Sequence, residues 1–101
     1  MSSAIEAFVK TVFSLKGKVK FVPGRYRNFV LSNVQPIPLF VLPVPEGYYV
    51  PWKMVDDQYT VTVKLGRDRE QEMQLDQEIE VLVELNKWSF QDKAGVSFYL
   101  K

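Results

Sequence analysis

The chain contains no cysteine and no histidine. The first absence removes disulfides and thiolate metal sites. The second removes the commonest general base and the commonest metal ligand. Without either residue, the familiar nucleophile triads cannot be assembled. Glycine is sparse and each one is isolated, so no phosphate-cradling glycine loop exists. No apolar run reaches the roughly 20 residues a membrane-crossing helix needs. The longest, Ile37 to Val44, is broken by Pro38 and Pro43. The start of the chain lacks a basic segment followed by an apolar core and a small-residue cleavage site. That predicts no signal peptide and a cytoplasmic location, the host cytoplasm if the chain is viral. Carboxylates are what remains for chemistry. A divalent cation needs several converging oxygens; Asp56-Asp57 reads instead as a turn, and Asp68, Glu70 and Glu72 as a solvated face. The expectation is a binding protein, with no enzyme activity, cofactor or metal.

Against these absences, 47% of the residues are hydrophobic and 25% charged. That balance suits an ordered domain and not a disordered chain. With 101 residues there is room for one domain, 1–101, with a real core. Net charge is only +1, but it is unevenly placed. Residues 1–53 hold seven Lys or Arg against two acids, and residues 54–101 hold six against ten. Such a dipolar chain has either a basic binding face or charges that intermix once both halves fold together.

Residues 2–15 open with Ser3 and Glu6 at capping-box spacing. Ile5, Phe8, Val9, Val12 and Phe13 then follow helical spacing, with a strand as the competing reading. Residues 16–34 predict a hairpin: a strand with Lys16, Lys18 and Lys20 on one face, a Pro23-Gly24 turn, and a partner strand over 25–34. Prolines 36, 38, 43, 45 and 51 rule out an unbroken central strand. They leave a short strand over Leu39 to Leu42 and a loop or edge over Pro43 to Trp52 with Gly47 at a turn. Residues 59–65 alternate, with Tyr59, Val61, Val63 and Leu65 inward. Residues 66–77 predict an exposed connection, with a single helical turn as an option. Residues 78–85 alternate again, with Ile79, Val81, Val83 and Leu85 inward and Glu78, Glu80 and Glu84 outward. Asn86 to Gly95 predict a loop or bulged hairpin, and Val96, Phe98 and Leu100 a last strand. Five or six strands with short turns predict a mostly β fold, a small five-stranded antiparallel barrel with at most one short N-terminal helix.

Chemistry points to residues 16–29. They carry Lys16, Lys18, Lys20, Arg25 and Arg27 with no acid, beside Phe21, Tyr26 and Phe29. Cations neutralise phosphates and release counterions. Aromatic faces stack unpaired bases for about 1–3 kcal/mol each. On a regular strand Arg25, Arg27 and Phe29 share a face, so either Phe29 or Tyr26 stacks while the other fills the core. Two aromatic groups extend the candidate site: Tyr48, Tyr49 and Trp52 with Lys53, and Trp88 and Phe90 with Lys87. The competing reading of each ring is half-burial with only its polar tip in water.

The basic hairpin Lys-Gly-Lys-Val-Lys-Phe-Val-Pro-Gly-Arg-Tyr-Arg (16–27), the segment Pro-Glu-Gly-Tyr-Tyr-Val-Pro (45–51), and the closing strands Glu-Ile-Glu-Val-Leu-Val-Glu-Leu (78–85) and Gly-Val-Ser-Phe-Tyr-Leu (95–100) resemble the small single-stranded-DNA-binding proteins of phages and plasmids. That resemblance implies an oligonucleotide-binding (OB) barrel. It implies non-sequence-specific binding of single-stranded DNA in replication or recombination, by a viral or plasmid protein acting as a homo-oligomer such as a dimer. The chain departs from many bacterial relatives in ending Tyr-Leu-Lys, without an acidic tail and terminal Phe. The alternative is a protein-interaction or viral assembly β module, with the exposed rings as interface anchors. The nucleic-acid reading requires the cationic hairpin and the ring-bearing loops to line one groove.

Overall fold

The computed structural model describes residues 4–21, 27–66 and 73–101. Ser3, the Pro23-Gly24 turn, Arg25, Tyr26 and the acidic 68–72 run lie outside the described residues. Among the described residues seven strands form: β1 (Val12–Phe21), β2 (Asn28–Val34), β3 (Tyr48–Tyr49), β4 (Trp52–Val55), β5 (Gln58–Lys64), β6 (Glu78–Phe90) and β7 (Lys93–Leu100). Hydrogen bonding runs β7-β6-β1-β2-β5, and a further β5–β7 pairing closes the ring. The fold is therefore a closed five-stranded OB-like barrel with β3 and β4 as outer strands. One seam departs from the all-antiparallel expectation. β5 and β7 run parallel, with Val63 opposite Phe98 and Lys64 opposite Tyr99.

Period-two alternation builds the barrel wall. Leu15 and Val19 of β1, Phe29 and Leu31 of β2, Val61 and Val63 of β5, Val83 and Leu85 of β6 and Phe98 of β7 are fully buried. Their neighbours in sequence point outward, as pleating demands. Aromatic rings thread this core. Phe13 lies 6.1 Å from both Phe8 and Phe98, Trp52 lies 5.9 Å from Phe98, and Phe40 bridges Trp52 at 5.4 Å and Tyr59 at 4.8 Å.

Three local expectations are corrected or narrowed. The expected short N-terminal helix, running into a strand, is reduced to a 3-10 turn, Ala4–Phe8, and the strand does follow, from Val12. Val12 and Phe13 instead pair with Glu84 and Val83 of β6. Burying Phe13 in the barrel outweighs extending a short isolated helix, which is marginal on its own. Leu39 to Leu42 is not a strand, because Pro38–Val41 form a 3-10 turn with proline in the first turn, where a missing N–H costs nothing. Leu39 and Phe40 are buried by it. Of the two readings of 86–95, a loop or a bulged hairpin, the structure takes the hairpin, without a bulge. β6 and β7 pair without interruption to Phe90 opposite Lys93, leaving a two-residue turn. The second two-residue turn matches expectation. Asp56 and Asp57 have φ of 51° and 64° between Val55 and Gln58, the left-handed pair of a type I′ turn.

Candidate nucleic-acid interface

Strand β1 sends Lys16, Lys18 and Lys20 outward on one face, as the alternation predicts. The neighbouring strand β6 sets an acidic stripe beside them. Lys16 stands opposite Glu80 and Lys18 opposite Glu78, and Lys16 Nζ lies 3.8 Å from Glu78. Opposite charges facing one another across a ladder compensate each other, so this stripe is not a bare cationic surface. Its position matters as much. In the ring β7-β6-β1-β2-β5, β1 is two strands from the β5–β7 seam by either route. None of Lys16, Lys18 and Lys20 stands among the residues around the Tyr49 and Trp88 rings, and β1 pairs with β6 only as far as Glu84, short of Trp88. The expected common groove is not met by Lys16, Lys18 and Lys20, while Arg25 and Tyr26 lie outside the described residues.

Of the rings proposed to stack, two belong to the core. Phe29 is 0% and Trp52 5% exposed. Trp52 faces inward because it sits opposite Val61 on β5, and Lys53, next in sequence, turns outward opposite Thr60. Arg27 also departs from the regular strand assumed for it. Its φ is 55°, and its Nη1 donates 3.1 Å to the carbonyl of Gly66.

The remaining candidates assemble around the seam. β3 pairs in parallel with β7, placing Tyr49 opposite Gly95. On the other side of β7, Trp88 is also opposite Gly95. The Tyr49 and Trp88 rings lie 5.8 Å apart and tilted by 35°. Tyr49 is 49% exposed. Tyr48 takes the other face of β3, and its hydroxyl donates to Glu6 Oε1 at 3.4 Å. Lys87 likewise precedes Trp88 and turns to Glu6, with an Nζ–Oε1 distance of 3.0 Å. Tyr48 and Lys87 thus hold the back of the aromatic pair. Burial and the adjacent Glu6 carboxylate raise the Tyr48 pKa above its ordinary value.

The pair rims a groove of about 240 Å³, lined by Tyr49, Val50, Pro51, Thr62, Lys64, Trp88, Val96 and Ser97. Val50, Pro51 and Thr62 continue it into a hollow of about 190 Å³ beside Lys53 and Thr60. Among the described residues no acid lines either part. Lys64 Nζ also lies 5.8 Å from the Tyr99 ring centroid. A third hollow, near Lys16 and Asn33, has Asp57 and Glu78 in its wall and lacks this one-sided polarity. Lys64, Thr62, Ser97 and Tyr99 were not singled out from the sequence. The alternation of 59–65 did place Lys64 outside, but not beside the rings.

Among the described residues no group of three potential metal ligands converges, and no helix is long and apolar enough to cross a membrane. No family model, curated protein or solved structure matches the chain, so its chemistry has to be argued from this geometry.

Proposed function

We propose that this chain binds single-stranded nucleic acid, DNA in the first instance, without reading its sequence, along the outer face of β5 and the β5–β7 seam. The observation that carries the reading is a groove with no acid among its described lining residues, in which Lys64 stands beside the Tyr49–Trp88 pair and Lys53 lines its continuation. Lysines that track a backbone beside exposed rings suit a flexible strand, whose unpaired bases can turn onto an aromatic face. Among the described residues the groove has no Arg, Asn or Gln, the side chains that grip a base edge through two bonds. OB barrels hold such ligands on the face of their second and third strands, and the third barrel strand, β5, supplies Thr62 and Lys64 to the groove.

The test uses the two tryptophans. Trp52 is buried, so an emission change on adding oligo-dT comes from Trp88 and disappears in Trp88→Phe. Two phosphate contacts give a slope of roughly −1.4 in log K against log salt. No fluorescence change and no gel shift at low salt would end the proposal. A second reading, a protein-interaction module, is favoured by the exposed apolar pair Val12 and Leu82 on the β1–β6 face. It predicts a defined oligomer or complex in light scattering that ignores added oligonucleotide.

A further inference from the structure

We infer that Glu6 is the positioning residue of the Tyr49–Trp88 platform, clamping from behind the two residues that precede the rings in sequence. This deepens the nucleic-acid reading and rests on it for its purpose. Successive side chains on a strand point to opposite faces. Tyr48 and Tyr49 therefore cannot both face the groove, nor can Lys87 and Trp88. Whatever holds Tyr48 and Lys87 on one face sets Tyr49 and Trp88 on the other. A single carboxylate oxygen does so. Glu6 Oε1 accepts from the Tyr48 hydroxyl at 3.4 Å and lies 3.0 Å from Lys87 Nζ.

Each part of the clamp has its own support. Glu6 belongs to the turn Ala4–Phe8, whose Ile5 is fully buried in the core, so the carboxylate is carried by an anchored segment. Its side chain is 21% exposed against 52% for Lys87, so the pair is partly shielded from solvent. β3 needs such a tie. It has only two residues and pairs on one side only, with β7. Glu6 thus joins the N-terminal turn, β3 and β6, three segments distant in sequence, at the back of the groove.

The test turns on a sign. Removing an acid from a protein that binds a polyanion strengthens binding if charge alone matters. The clamp predicts the reverse, because freed rings must be ordered again when the ligand binds. Glu6→Ala in the full chain is expected to weaken oligo-dT binding roughly 3- to 10-fold with an unchanged salt slope. Glu6→Gln keeps an acceptor for Tyr48 but loses the charge facing Lys87, and falls between. Glu46→Gln, which removes a negative charge two residues before Tyr48 without touching the clamp, leaves affinity equal or higher. A Glu6→Ala protein that binds as tightly as the parent, or more tightly, overturns the inference. A ligand-free measurement separates this outcome from failure of the nucleic-acid reading. Near-UV circular dichroism reports the Trp88 ring held against Tyr49, and acrylamide quenching reports its accessibility. If the parent protein binds no oligonucleotide, the nucleic-acid reading fails. The clamp then stands if Glu6→Ala loses the Trp88 signal and Glu6→Gln loses part of it while both remain folded by far-UV dichroism, and falls if the signal is unchanged in the folded variants.

Discussion

Replacing Gly95 with alanine tests the seam that brings the rings together. In most strands this change stabilises by about 0.5–1 kcal/mol, because glycine loses more backbone freedom on folding. Here the sign reverses. A Cβ on Gly95 would overlap the carbonyl oxygen of Tyr49 and lie 2.9 Å from both its carbonyl carbon and its Cβ. Ordinary carbon–carbon contact begins near 3.5 Å, so β3 must retreat by at least ~0.6 Å. The obstacle is main chain, which cannot swing aside as the tip of a lysine can. Retreat weakens the short parallel pairing with β7, each hydrogen bond of which is worth about 0.5–1.5 kcal/mol. Overpacking itself typically costs about 1–3 kcal/mol. Gly95→Ala is therefore expected to destabilise the fold by roughly 1–3 kcal/mol and to separate Tyr49 from Trp88. Urea unfolding followed by far-UV dichroism reads the first effect, and Trp88 emission in the folded protein reads the second. A variant as stable as the parent or more so, with unaltered Trp88 emission, would show that β3 does not pack against Gly95 as described.

Other perturbations address charge, turn geometry and pH. The double change Glu78→Gln, Glu80→Gln removes the acids facing the β1 lysines. Because those lysines do not line the groove, the salt slope of oligonucleotide binding should stay unchanged, and stability should move by less than ~1 kcal/mol because the pairs are exposed; a slope steeper by about 1–2 would mean that the β1 face joins in binding. Asp57→Gly relieves a positive φ in the β4–β5 turn and creates the favoured Asp-Gly pair, raising stability by about 0.5–1 kcal/mol in urea unfolding. Tyr48→Phe addresses alkaline pH. The Tyr48 pKa is raised in the folded state by burial and Glu6, so its contribution is complete below the ordinary tyrosine value near 10 and is lost as pH rises through the higher folded value. The phenylalanine variant should lose stability less steeply above about pH 10, measured as the unfolding midpoint across the alkaline range; parallel curves would remove Tyr48 from the explanation.

Much of the barrel was legible in the order of residues because β-strand burial is a local, period-two property. The runs 59–65 and 78–85 announce which side chains enter the core, and Lys16, Lys18 and Lys20 do share one outward face. Asp56-Asp57 announced its turn for an equally local reason, the tolerance of aspartate for left-handed φ. The candidate site was less legible. Prolines around Trp52 suggested a loop, yet pairing with Val61 turns the indole into the core and leaves Lys53 outside. Charge patterning identified a basic stripe but not the glutamates that face it, since cross-strand neighbours are set by register between segments some sixty residues apart.

The sequence by itself determined that the chain would be a small all-β barrel without thiol or imidazole chemistry, because composition and side-chain alternation are properties of each strand alone. Only the tertiary structure decided which outward faces meet. The closing β5–β7 pair draws Lys64, Tyr49 and Trp88 around one groove that the β1 lysines do not line. Ring closure is a long-range event, and no local pattern of residues records its partners.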